Sequence, residues 1–194
     1  MKLLKKKIMT DGKVVNDALL KVDSFLNHQI EPELMKEIGR EFAERFKDAK
    51  VTKVLTIEAS GIAAALMTAL YLDVPLVFAR KKKSAVTEEN LYAAEVYSFT
   101  KKETNRVTVA SEFLADGDQI LIIDDFLANG EAVLGLCNIV EQAKANVVGV
   151  GIVIEKSFQP GCEKIRKAGY RLESLARIHS FSDGRVNFMQ DDTK

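Results

Sequence analysis

Apolar residues recur along this chain at two periods, and the exchange between them predicts alternating helices and strands. Leu34, Ile38, Phe42 and Phe46 are spaced by four, and Pro32 suits a first turn, so residues 32–46 are predicted as a long helix. Residues 13–25 also carry apolar positions at helical intervals and are predicted as a helix that ends at Asn27-His28-Gln29-Ile30. Short apolar runs at 53–57 and 75–80 read as strands, with a helix at about 62–72 between them. That is a βαβ unit, which implies a parallel pair. A second unit follows: strand 119–124, helix 131–144, strand 147–154. A short helix at 161–168 and a strand at 171–178 complete an α/β pattern. Helical periodicity is lost between 81 and 110, which is rich in Lys, Glu, Thr and Ser. Residues 92–99 and 106–109 are expected to pair as a ribbon around the polar stretch 101–105.

The densest chemistry lies in ILIIDDFLANGEA, which begins at Ile120. Four apolar residues run into Asp124 and Asp125, then a small-residue turn, Ala128-Asn129-Gly130, opens a helix with Glu131 and Ala132. A helix N-terminus offers free N–H groups and the positive end of a dipole, which suit a phosphate. Gly130 lets the backbone approach such a group without a Cβ. The adjacent acids are placed to accept hydrogen bonds from sugar hydroxyls. In this geometry the Glu131 carboxylate must point outward, leaving only its backbone in use. The run lacks the Gly-Lys-Ser/Thr ending of a P-loop and is not a dinucleotide fingerprint. An ordinary strand–loop–helix, with Asn129 as a plain cap, is the competing reading.

This segment resembles the phosphoribosyl diphosphate signature of the type I phosphoribosyltransferases. VLTIEASGI, from Val54, falls where that family keeps its pyrophosphate loop, and FARKKK, from Phe78, is a strand ending in four cations. The NHQIEP, ANGEA and VIEKSFQPG segments resemble the bacterial xanthine branch of the family over nearly the whole length. The resemblance implies a mainly parallel sheet flanked by helices, with a small N-terminal hood at about 1–35 and a mobile loop at about 81–110, all in one domain. It implies transfer of ribose 5-phosphate from phosphoribosyl diphosphate to xanthine, giving xanthosine 5′-phosphate and diphosphate in purine salvage. A hypoxanthine-guanine or broad 6-oxopurine transferase is the alternative within the family. A purine-sensing regulator without activity is the alternative outside enzymes.

The same resemblance distributes the roles. Asp124, Asp125 and Arg80 form the catalytic set. Ala128, Asn129, Gly130, Glu131 and Ala132 cradle the 5′-phosphate, while Ala59, Ser60, Gly61 and Lys81 hold pyrophosphate oxygens. Lys82 and Lys83 read as a solvated charge run. Leu20, Asn27, Lys156 and Phe158 are expected around the base, with Lys156 donating to O6 where an amino group would not be accepted. The competing readings are core packing for Leu20 and Phe158, a helix end for Asn27, and a Glu155 pair for Lys156. Mg²⁺ is expected to arrive mainly on the diphosphate, with no dedicated protein metal site. Two features depart from the wider family. Ala128 stands where hypoxanthine-guanine enzymes place an acid, and the loop position at about Thr100 lacks the glutamate of adenine enzymes. No side chain can therefore be named as general base.

Composition narrows the picture. The formal net charge is zero, which gives no global support for nucleic-acid binding. No apolar run reaches a membrane span, so no membrane partner is expected. Cys137 and Cys162 lack metal spacing and read as reduced thiols of a cytoplasmic protein. The family habit implies a homodimer, to which residues 181–194 are one possible contributor; the tail around Asp191 and Asp192 reads as frayed.

Overall fold

The structure is a computed structural model and describes residues 1–82, 90–98 and 102–190. Lys83, Thr100, Lys101, Asp191 and Asp192 lie outside the described residues, as does part of the expected mobile loop.

The first βαβ unit forms where the periodicity places it. Strand β3 (Lys53–Ile57) is followed by helix α3 (Gly61–Leu72) and strand β4 (Leu76–Lys82), and β3 and β4 are parallel. The second unit is strand β7 (Gln119–Leu127), helix α4 (Glu131–Gln142) and strand β8 (Asn146–Lys156), also parallel. Helix α5 (Gly161–Lys167) leads into strand β9 (Leu172–Ser182), parallel to β8. Strands β5 (Leu91–Ser98) and β6 (Glu103–Ala110) form the expected antiparallel ribbon, and β6 runs antiparallel to β4. Strand β10 (Arg185–Phe188) closes the opposite edge against β9. Among the described residues the main sheet has the order β10-β9-β8-β7-β3-β4-β6-β5.

The central strands are apolar throughout because both faces are covered. Val54, Leu121 and Ile123 join one core with helix α1 (Lys2–Asp11) and helix α2 (Pro32–Arg45), together with Ala64, Ala65 and Ala69 of α3. Leu55, Ile57, Ile120 and Ile122 join a second core with Val133, Leu136 and Ile139 of α4 and Ile165 of α5. Ile120 to Ile123 are each fully buried, and burial of such a side chain contributes about 1.5–3 kcal/mol. This two-sided burial makes β7 a stiff support for the acids at its end.

Four details differ from the sequence expectation. The helix expected at 13–25 is a hairpin, strand β1 (Lys13–Val15) against strand β2 (Leu19–Lys21), followed by a π-type turn at Asp23–Asn27. Asn16 and Asp17 adopt φ of 52° and 47°, a left-handed turn that Asn and Asp tolerate and a helix does not contain. Lys2–Asp11 is helical through the buried pair Leu4 and Ile8, whose spacing the lysine run obscures. Strand β7 continues three residues past Asp124, because Phe126 and Leu127 pair with Ile154 and Glu155. Residues 185–188, given no element by the periodicity, pair within their own sheet after a turn at Asp183 and Gly184.

Candidate active site

Because β3, β4, β7 and β8 are parallel, their carboxyl ends share one edge of the sheet, where open α/β sheets bind ligands. Asp124 and Asp125 sit in the last part of β7 and are 4% and 8% exposed. The Asp125 N–H donates to Asp124 Oδ1 at 3.0 Å. Burial, and then the neighbouring Asp125 carboxylate, hold the Asp124 carboxyl well above the usual carboxylate range; the charge of Lys81 acts the other way. Helix α3 begins beside Asp124. A Cβ on Gly61 would stand 2.9 Å from Asp124 Oδ1 and 2.3 Å from Thr56 Oγ1, so only glycine permits this approach. Thr56 Oγ1 is itself buried with no hydrogen-bond partner among the described residues.

After β7 the chain turns through Ala128 and Asn129 to Gly130, the N-cap of α4, at φ 87°. Among the described residues no side chain caps this helix, so Asn129 is not its cap and the first N–H groups are open to a ligand. Ala128, Asn129, Gly130, Glu131 and Ala132 line a cavity of about 240 Å³ with Lys81, Phe126, and Tyr97 and Asn105 from the ribbon. The Glu131 carboxylate is drawn away by Lys164, whose Nζ stands 2.7 Å from Oε1. The backbone of the loop is held from behind: Gly161 N–H donates to Ala128 O at 2.9 Å.

Ala59, Ser60 and Gly61 form the β3–α3 turn, which contains a cis Glu58–Ala59 peptide. Ser60 is the N-cap of α3 but makes no side-chain cap bond, which leaves its hydroxyl available. Ala59 and Ser60 line a different cavity, of about 700 Å³, shared with Asn27, Leu26, Ile30 and Ile62. Arg80 and Lys81 both attach to this turn through Glu58. The Lys81 N–H donates to Glu58 Oε1 at 2.7 Å, and Arg80 Nε lies 3.9 Å from Oε2 with its side chain exposed.

Around the expected base position the placements differ in kind. Lys156 ends β8 with its Nζ 5.9 Å from the Phe126 ring centre. It has no ion pair with Glu155. Glu155 is fully buried and instead accepts bonds from Ser157 Oγ at 2.6 Å and Ser174 Oγ at 2.5 Å. Burial lowers the Lys156 pKa. Phe158 is exposed rather than in the core, and meets Phe181 edge-on at 5.5 Å. Leu20 is packed in the core at 4% exposure. The structure thus gathers the Ala128–Ala132 loop, Lys81 and the β7 acids at one edge; it sets Ala59, Ser60 and Asn27 in a second hollow and buries Leu20. Glu58, Tyr97, Asn105, Gly161 and Lys164 were not singled out from the sequence. Only the acid at Glu131 hinted that a cation must lie near it.

Among the described residues no three metal-ligating side chains cluster, and no helix is long and apolar enough to cross a membrane. Cys137 and Cys162 are free thiols, and burial pushes Cys137 up to about 12.

Comparison with known proteins places this geometry. Residues 26–169 match the model of the phosphoribosyl transferase domain. The chain is 58% identical over 193 residues to a xanthine phosphoribosyltransferase of Bacillus cytotoxicus, covering 100% of this chain and 98% of the relative. It is 57% identical over 191 residues to one of Oceanobacillus iheyensis, covering 98% of each. Among solved structures, the adenine phosphoribosyltransferase of Rhodothermus marinus superposes with a TM-score of 0.74 at 23% identity, over 92% of this chain and 100% of that one. The Giardia lamblia enzyme complexed with 9-deazaadenine gives 0.74 at 22% identity, over 87% and 94%. At that identity the structures speak for the fold alone, and the full-length relatives for the family. A parallel sheet with an acid pair at the end of β7, an uncapped helix behind a glycine turn, and a match over residues 26–169 agree: this chain belongs to the phosphoribosyltransferase family.

Proposed function

We propose that the chain is a xanthine phosphoribosyltransferase: it converts xanthine and 5-phospho-α-D-ribose 1-diphosphate to xanthosine 5′-phosphate and diphosphate. The observation that carries the base choice is Lys156, a half-buried cation at the end of β8 with no carboxylate to pair it among the described residues. A buried donor there rewards an oxo group at C6 and penalises an amino group. The names of the relatives from Bacillus cytotoxicus and Oceanobacillus iheyensis support xanthine within that class.

Each part has a task in this reading. The open N–H groups of the Ala128–Ala132 loop take the 5′-phosphate. Asp124 and Asp125 accept from the ribose hydroxyls and hold the sugar while positive charge develops at C1. Lys81 and Arg80, with the Ala59–Gly61 turn, neutralise the departing diphosphate. The rate gain then comes from alignment and charge stabilisation rather than from a covalent nucleophile. Asn27 and Phe158 complete the base side, with residues 1–35 as its hood and 81–110 as its cover. Leu20, buried in the core that also holds Val22 and Leu26, belongs to the same base side.

The donor set also suits Mg²⁺. Asp124 and Asp125 stand side by side, and burial first and the neighbouring Asp125 second raise the Asp124 pKa; a nearby cation would oppose both, and Mg²⁺ takes one or two carboxylates plus substrate oxygens. When bound on the diphosphate, the ion neutralises leaving-group charge. Two further expectations belong to this reading. Leu66 and Leu70 of α3, with Phe78 and Phe113, are exposed apolar residues that a homodimer would cover. The charged substrate and product suit a cytoplasmic enzyme.

The test is a set of parallel initial rates with phosphoribosyl diphosphate, Mg²⁺ and xanthine, guanine, hypoxanthine or adenine. Preference for xanthine is expected. Preference for guanine or hypoxanthine would move the chain to the broader 6-oxopurine class. Binding of phosphoribosyl diphosphate without turnover of any base would leave a sensor.

A further inference from the structure

An acid at the first position of α4 is at odds with a phosphate site. The N–H groups that would bind phosphate attract a carboxylate just as well, and Glu131 is the carboxylate nearest to them in sequence. The structure resolves this conflict from outside the loop. Lys164, near the middle of α5, takes Glu131 Oε1 at 2.7 Å, and both side chains are partly shielded. Three residues earlier, Gly161 N–H holds Ala128 O at 2.9 Å, and a Cβ on Gly161 would stand 2.4 Å from that oxygen and 2.9 Å from Gly130 N. One short segment thus fixes both the path of the loop and the direction of its acid.

We propose that Lys164 is a positioning residue for substrate binding: by holding the Glu131 carboxylate outward, it stops the enzyme's own acid from occupying the 5′-phosphate site at the start of α4. This rests on the assignment of the Ala128–Ala132 loop to the 5′-phosphate. Without Lys164, the unpaired carboxylate has two ways to weaken binding. It repels the phosphate through the wall of a small cavity, and it competes for the same N–H donors. The acid and the lysine act as a unit, so removing both should harm less than removing the lysine alone. A lysine that merely braced the fold would behave in the opposite way.

The experiment measures ribose 5-phosphate binding by calorimetry, and kcat and both KM values by steady state, in wild type, K164M, K164R and E131Q/K164M. K164M is expected to weaken ribose 5-phosphate and raise the KM for phosphoribosyl diphosphate by on the order of tenfold or more, with little change in the KM for xanthine. K164R should keep most of the affinity, and the double variant should recover most of what K164M loses. Unchanged affinity in K164M, or a double variant as weak as K164M, would overturn the proposal. Failure of the wild type to turn over any base would count against the enzymatic reading alone, because ribose 5-phosphate binding still reports on Lys164. Failure of wild type to bind ribose 5-phosphate would remove the loop assignment and the proposal with it.

Discussion

Replacing Lys156 with Met gives the most direct test of how the base is read. Met keeps the length and apolar stem of the side chain, so packing against Phe126 is preserved while the donor and its charge go. A hydrogen bond from a charged group is worth about 1.5–3 kcal/mol, and each 1.4 kcal/mol is tenfold, so kcat/KM for xanthine should fall about 10- to 150-fold. Lys156 has no ion partner in the described structure, so no carboxylate is stranded by the change and the loss should report on the base alone. Adenine, which offers no oxo group at C6, should lose little, and the KM for phosphoribosyl diphosphate should stay within about threefold. Burial lowers the Lys156 pKa, so in wild type the charge is lost as pH rises through a value below that of an exposed lysine. The alkaline decline of kcat/KM that stems from this group should be absent from K156M. The assay is initial rates across pH with both bases. A variant that turns over xanthine as well as wild type, or that loses xanthine and adenine equally, would refute the reasoning.

Two further outcomes follow from the site's own strain. Asp124→Asn should abolish turnover yet raise the Tm of the ligand-free protein near neutral pH. The raised carboxyl pKa means that native stability is full below the unfolded value and falls as pH rises through the folded one, so the gain should shrink in acid; scanning calorimetry at several pH values checks this. Gly130→Ala should raise the KM for phosphoribosyl diphosphate by at least about tenfold, because the position needs φ 87° and a Cβ would lie 3.1 Å from Gly161 Cα; steady-state rates check it.

The parts of this molecule that were legible in the sequence are those whose signals are local. Strand β3 and helix α3 announce themselves by a switch of period at Ser60 and Gly61, and the phosphate loop lies in one continuous run. The hairpin at 13–21 was not legible. Val14, Val15, Leu19 and Leu20 satisfy a helical spacing as readily as an alternating one, and the turn residues Asn16 and Asp17 decided between them. Partnerships across the fold were also hidden. Glu155 stands beside Lys156 in sequence, yet successive strand residues point to opposite faces, so Glu155 meets Ser157, Ser174 and, at 3.8 Å, Arg177 instead. Glu131 and Lys164 are 33 positions apart and meet only because α4 and α5 pack on the same face of the sheet.

The pairing of β7 with β8 has a consequence for how this enzyme can change. Leu127 lies opposite Glu155, so Lys156 stands level with Ala128, where the loop begins, while the acids Asp125 and Asp124 lie three and four residues back along β7. On the proposed assignment, the places for base, sugar and phosphate are spaced by a hydrogen-bonded ladder, at about 3.3 Å per residue along a strand and about 4.8 Å between strands. That ladder is a gauge for the length of a nucleotide. A single inserted residue in β7 before Asp124 would shift the acids against Lys156 by one rung, and no side-chain movement could restore the fit. Side chains that top the ladder can be exchanged one at a time without disturbing its spacing. Preference among bases is thus free to drift while the reaction on the ribose stays fixed.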